Sequence, residues 1–163
     1  MRTVNNFYAN GMRVFFALAR DAKYNFKSNY GNQALNDVPI GYDSLSTTIP
    51  PTGLNDYHLI AEIQELASLV EQETNKKILN SWGNIIKSNK WIGAHTHNHN
   101  PKVNTVATYF FQAPANETVT FEDQDLPVSS NMLLIFDANT LHGIKPVERK
   151  SDCILITFEL TDQ

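Results

Sequence analysis

The sequence changes texture near Asn80, and that change restricts the fold more than any other feature. Beyond it, residues 103–113, 118–122, 132–136 and 154–160 are rich in β-branched and aromatic residues and are bounded by Pro, Asn and Asp, as short strands are. Before it, residues 57–80 read as a helix. Leu59, Ile63, Leu66 and Val70 fall at spacings of four, three and four on one helical face, with Glu62, Glu65, Glu71 and Glu73 opposite and Asp56 available as a cap. Residues 12–21 read as a shorter helix with Asn10 and Gly11 at its start. Residues 23–53 are rich in Asn, Gly, Ser and Pro and read as loop with at most short strands. An irregular stretch of that length in a compact domain is often functional, for example as a lid. Helices followed by a series of short strands predict an α+β domain whose β part is an antiparallel sandwich or jelly roll. One domain over 1–163 is expected, with a helical part at about 1–80 and a jelly-roll core at about 81–161.

Composition narrows the function. The chain of 163 residues is 42% apolar and 18% charged, ordinary for a globular protein able to bury one core. Its formal net charge is −4 and no Lys/Arg cluster occurs, which argues against nucleic acid, whose binding rests on neutralising phosphates. The single cysteine, Cys153, allows no internal disulfide. No apolar run approaches a membrane span, and residues 1–10 lack a signal-peptide core. A soluble cytoplasmic protein is the expectation.

Three of the five histidines crowd into Ala94-His95-Thr96-His97-Asn98-His99-Asn100-Pro101. Residues two apart on a strand share a face, so His95 and His97 can aim two imidazoles at one point, while Pro101 suggests that the strand ends before His99. His142, in Asn139-Thr140-Leu141-His142-Gly143, follows the apolar run at 132–136. Antiparallel jelly rolls bring such distant strands together, and imidazole suits Fe(II), Zn and Cu. A surface loop that binds nothing is the other reading of the same residues. His58, at the start of the long helix, reads as structural.

The spacing then resembles a known signature. Trp82-Gly-Asn84, ten residues, and His95-Thr96-His97 are similar to the Trp-x-Asn…His-Thr-His pattern of a family of 2-oxoglutarate/Fe(II)-dependent oxygenases. The likeness continues through Tyr109-Phe110-Phe111-Gln112-Ala113-Pro114, Thr120-Phe121-Glu122-Asp123, the block from Leu134 to Pro146 containing His142, and Ile154-Leu155-Ile156-Thr157-Phe158-Glu159, about half the chain. The resemblance implies a double-stranded β-helix, cupin-like, with Fe(II) at its open end. It makes His95 the first iron ligand, His142 the distal one, and puts His97 where the wider superfamily usually has Asp or Glu. Such a site lacks one negative charge relative to the usual two-histidine, one-carboxylate triad.

Two departures qualify the resemblance. Seven residues after Pro146, where the family carries the Arg that pairs with the far carboxylate of 2-oxoglutarate, this chain has Cys153, and the family's Ser two residues later is Leu155. A thiol cannot make that bidentate ion pair. Arg149 and Lys150, in the preceding turn, are the candidate replacements. The segment between His97 and Tyr109 is also long, which leaves His97/His99 as an alternative ligand register. Tyr109 alternates in phase with Val103, Thr105, Ala107 and Phe111; if that face is interior, its hydroxyl meets a cosubstrate carboxylate or metal-bound water, and otherwise it is a core tyrosine. Glu122 and Asp123 read as surface charges, Trp82 and Trp91 as packing residues, and Cys153 as a buried inert thiol.

Two functions compete on this reading. One is a non-haem Fe(II)-dependent dioxygenase that hydroxylates a small molecule or a side chain with 2-oxoglutarate. The other is a cupin-like metal-binding module without turnover, which the missing Arg favours. Fold alone does not choose between them.

Overall fold

The computed structural model describes residues 1–20, 45–46 and 57–163. Two antiparallel sheets dominate. In chain order the elements are β1 (Arg2–Val4), α1 (Gly11–Arg20), β2 (Leu45–Ser46), single 3-10 turns at Tyr57–Leu59 and Ala61–Ile63, α2 (Gln64–Thr74), β3 (Lys76–Ile86), β4 (Ile92–His95), β5 (Thr105–Gln112), β6 (Thr118–Phe121), β7 (Gln124–Pro127), β8 (Leu133–Asp137), β9 (His142–Ile144) and β10 (Cys153–Asp162). The larger sheet runs β1-β8-β5-β10-β3-β2, and the smaller runs β4-β9-β6-β7. This is the expected jelly roll, with helices on the outside.

The core has two layers because the large sheet is covered on both faces. On the helix side, Phe15 of α1 and Leu66, Ala67 and Val70 of α2 pack with Ala107, Tyr109 and Phe111 of β5 and Ile154, Ile156, Phe158 and Leu160 of β10. Between the sheets, Val106 and Phe110 of β5 and Cys153 and Leu155 of β10 meet Ile92, Val119, Phe121, Phe136 and Ile144. Each fully buried Leu or Val contributes about 1.5–3 kcal/mol through its removal from water.

The long helix predicted over 57–80 is shorter than its periodicity suggested. Ile63, Leu66 and Val70 are fully buried, but Leu59 is exposed, and the segment before Gln64 is two 3-10 turns. The helix ends at Asn75, which takes a left-handed conformation (φ 53°) and donates its N–H to Glu71 O. Lys76 then opens β3, so the last five residues of the predicted helix are strand. The shorter helix falls at Gly11–Arg20, close to its expected place. The irregular stretch at 23–53 lies outside the described residues, β2 excepted, as does the Asp56 cap. No described helix is long and apolar enough to cross a membrane.

Candidate metal centre

β4 and β9 form the edge of the small sheet where the histidines gather. Their register is irregular: Ile92 pairs with Ile144 and His95 with His142, so Gly93 and Ala94 stand opposite the single residue Gly143. A bulge of this kind re-aims the side chains beside it. Gly143 is required there, since a Cβ would lie 2.7 Å from Ile92 O and 3.1 Å from Ala94 N. The strand stops at His95, and His97 sits in the following loop, fixed by its N–H to Ala138 O at 2.9 Å. The expectation that His95 and His97 share a strand is therefore corrected: a loop, not strand alternation, brings His97 in.

The structure nonetheless gathers His95, His97 and His142, whose offered ring nitrogens lie within 4.8 Å of one another. Each Nδ1 faces an oxygen acceptor: Gly93 O for His95 (2.8 Å), Glu159 Oε2 for His97 (2.7 Å) and Thr140 O for His142 (2.9 Å). A carbonyl oxygen only accepts, so Nδ1 of His95 and of His142 carries a proton, and His97 Nδ1 does the same against an ionised Glu159; in the neutral form each ring then presents an Nε2 lone pair. Two of these, on His97 and His142, face each other at 3.2 Å. At that distance the contact is favourable when a proton on one nitrogen, or a metal cation among them, lies between the two. Burial pushes the His95 and His142 rings below the ordinary histidine value, His142 to about 3, which keeps them neutral and ready to ligate. The donor set therefore fits a divalent transition metal bound through three Nε2 atoms, each ring oriented by a second hydrogen bond. His99 is two-thirds exposed and stands outside this group, 3.9 Å from Glu159.

Beside the triad opens a cavity between the sheets. Apolar walls come from Phe110, Leu134, Phe136 and Leu155, and polar ones from Asn84, Thr108 and Thr157. Trp82 also lines it and stacks on His97, with ring centroids 5.8 Å apart. Both Trp82 and Asn84 are thus cavity residues, beyond the packing role expected of Trp82. No Lys or Arg among the described residues lines the cavity.

The three residues expected to hold a cosubstrate lie elsewhere. Tyr109 faces the helices, where its hydroxyl donates to Asn131 Oδ1 (2.7 Å) and reaches Tyr8 O (3.1 Å). The interior face of β5 is Val106, Thr108 and Phe110 instead. Alternation could not tell the faces apart, because both are buried. Arg149 is buried and bound to Glu117, Nε to Oε1 at 2.6 Å and Nη2 to Oε2 at 3.0 Å. Its Nη1 donates to Lys87 O and Lys90 O, so the guanidinium staples two turns together and is not turned to the triad. Lys150 is exposed. Cys153 is buried between the sheets, as expected, and burial raises its thiol well above the ordinary value. His58 is structural, its N–H and Nδ1 both within 2.7 Å of Ser81 Oγ. Glu122 and Asp123 are exposed.

Sequence reading missed Glu159. It is 1% exposed on β10, with His97 Nδ1 on one oxygen and Asn80 Nδ2 (3.1 Å) on the other. A single charged residue in the apolar run 154–160 was the available signal.

No family model matches the chain, and no curated protein sequence matches it. Solved structures do. A prolyl hydroxylase from Trichoplax adhaerens, in complex with a hypoxia inducible factor oxygen degradation domain peptide, is similar over 99% of this chain and 83% of its own, at 14% identity and a TM-score of 0.69. A viral collagen prolyl hydroxylase from Paramecium Bursaria Chlorella virus-1, in its 2OG complex, matches 99% of this chain and 96% of its own, at 12% identity and 0.66. A Pseudomonas putida prolyl-4-hydroxylase matches 99% and 92%, at 9% identity and 0.63. At these identities the likeness is one of architecture, and the chain has the double-stranded β-helix fold that these hydroxylases share.

Proposed function

We propose that this chain is a mononuclear non-haem Fe(II) oxygenase that hydroxylates a substrate with 2-oxoglutarate as cosubstrate. The observation that carries the proposal is the gathering of a ring nitrogen from each of His95, His97 and His142 within 4.8 Å of one another at a jelly-roll cavity. The fold shared with prolyl hydroxylases, one of them in a 2OG complex, supports the choice of iron and cosubstrate. Bound by three ligands with positions left open, iron(II) would supply the activation of O₂. The chain's own residues do the rest. Gly93 O, Thr140 O and Glu159 hold the imidazoles in the ligating tautomer, and Trp82 braces His97. Phe110, Leu134, Phe136 and Leu155 line an apolar cavity that excludes water from the reacting groups.

A specific observation favours a second reading, a cupin-like metal-binding module without 2-oxoglutarate turnover. The far carboxylate of 2-oxoglutarate needs a cationic partner, and the described cavity offers neutral Asn84, Thr108 and Thr157 while Arg149 is committed to Glu117. These residues do not fit a dicarboxylate anchored by an ion pair. One assay separates the readings: succinate formation from 2-oxoglutarate by the Fe(II)-loaded protein with ascorbate, against His142→Ala. Succinate above the variant's background supports the oxygenase. Stoichiometric iron with no succinate, and no charge-transfer band on anaerobic addition of 2-oxoglutarate, establishes the module.

A further inference from the structure

Three neutral imidazoles leave a bound divalent metal with one negative charge fewer than a set that includes a carboxylate. Glu159 stands where it can restore that charge. It is almost fully buried, and Oε2 lies 2.7 Å from His97 Nδ1. Asn80 Nδ2 donates to its Oε1, and a carboxylate here also accepts from His97 Nδ1 through Oε2. The sheet is built to put it there. Glu159 pairs with Asn80 across β10–β3, but Leu160 pairs with Ile78, which leaves Leu79 as an extra residue in β3. Ile78 belongs to the helix-side core, and the bulge lets Asn80 turn to the other face and reach Glu159. A buried carboxylate is costly unless it is paired, and among the described residues its partners are His97, Asn80 and the more distant His99.

We infer that Glu159 is a positioning residue that acts through His97: by hydrogen-bonding Nδ1 it makes the Glu159–His97 pair the electrostatic equivalent of the carboxylate ligand this site lacks. The inference rests on the reading of the triad as a metal site. A carboxylate on the far nitrogen fixes ring orientation and raises ligand basicity, so it strengthens the metal bond and favours the higher oxidation state of iron.

The test measures anaerobic Fe(II) and Ni(II) binding by calorimetry, and the Fe(III)/Fe(II) midpoint potential, in wild type, Glu159→Gln, His97→Asp and the double variant His97→Asp/Glu159→Gln. Glu159→Gln keeps size and a hydrogen-bonding group but removes the charge. Affinity should fall by about 10–100-fold, the usual effect of removing such a partner, and the midpoint potential should rise. His97→Asp alone sets two carboxylates side by side and should bind metal poorly. The double variant returns one carboxylate to the ligand set and should recover affinity to within about tenfold of wild type. The rise in midpoint potential in Glu159→Gln is the signature no purely structural role of Glu159 produces, and the double variant keeps the exchange of charge readable if Glu159→Gln alone proves too unstable to titrate. If wild type binds neither metal, the proposed function falls. If wild type binds but Glu159→Gln matches it in affinity and potential, or the double variant is no better than His97→Asp, the role of Glu159 is overturned while the metal site stands.

Discussion

His95 and His142 are direct partners across the β4–β9 ladder, with ring centroids 4.3 Å apart. Their approach depends on the glycine beside them. The β4 bulge leaves no room at Gly143 for a Cβ, whose nearest neighbours would be backbone atoms of Ile92 and Ala94 rather than a flexible side chain. Gly143→Ala should therefore push β4 away from β9 and spoil the ligand geometry without touching a ligand. Ni(II) affinity, read by calorimetry, should drop by about tenfold or more, with the far-ultraviolet circular dichroism unchanged. An alanine variant that binds as well as wild type would mean the bulge does not position the pair.

Metal content should require each member of the triad and not its neighbour. His95→Ala, His97→Ala and His142→Ala each remove one of the converging ring nitrogens, and elemental analysis after loading with Ni(II) should show stoichiometry well below one. His99→Ala should load normally, since that ring is largely exposed and outside the group. Loss of metal in His99→Ala with retention in His97→Ala would reverse the register.

Much of this was legible beforehand, and what was not has identifiable causes. The spacing of Ile63, Leu66 and Val70 located α2, and the β-branched and aromatic runs located β5, β6, β8 and β10. The strands β4, β7 and β9 are three or four residues long, too short to display a period. The sequence places Tyr109 in the interior only conditionally, because a strand buried on both faces carries no polar alternation to orient it. His97 was legible as a ligand but not as a loop residue, since strand phase and a loop can deliver the same ring. Nothing local distinguishes Arg149 as a staple: its partner, Glu117, is 32 residues away.

That staple predicts a stability effect without a metal effect. Arg149 and Glu117 form a bidentate ion pair in which both side chains are 1% exposed. Breaking a buried pair from one side leaves the other charge uncompensated, which costs about 3–5 kcal/mol. Arg149→Ala should lower the denaturation midpoint accordingly, and Arg149→Ala/Glu117→Leu should be the more stable of the two. Metal affinity of whatever fraction remains folded should stay at the wild-type level. A variant of normal stability that has lost 2-oxoglutarate binding would return Arg149 to the role of cosubstrate anchor.

Tyr109 makes the last prediction, and it concerns alkaline pH. Burial, with a smaller contribution from Tyr8, pushes its phenol well above the ordinary tyrosine value. In the unfolded chain the same phenol loses its proton near pH 10. Below about pH 10 both states hold the proton, and the hydrogen bonds to Asn131 Oδ1 and Tyr8 O contribute fully. Above it the unfolded state binds fewer protons than the folded state, so stability falls as pH rises. Tyr109→Phe removes this term. At pH 8 the variant should be destabilised by about 1–2 kcal/mol, because the one hydroxyl proton shared by Asn131 Oδ1 and Tyr8 O is lost in a buried site. Between pH 9 and 11, however, its urea midpoint should fall less steeply than that of wild type, so that the two curves converge. Tyr8, also raised by burial, keeps some slope in both proteins. Parallel curves would show that the Tyr109 hydroxyl can ionise in place, and that the helix-side core around it opens to water more readily than its packing implies.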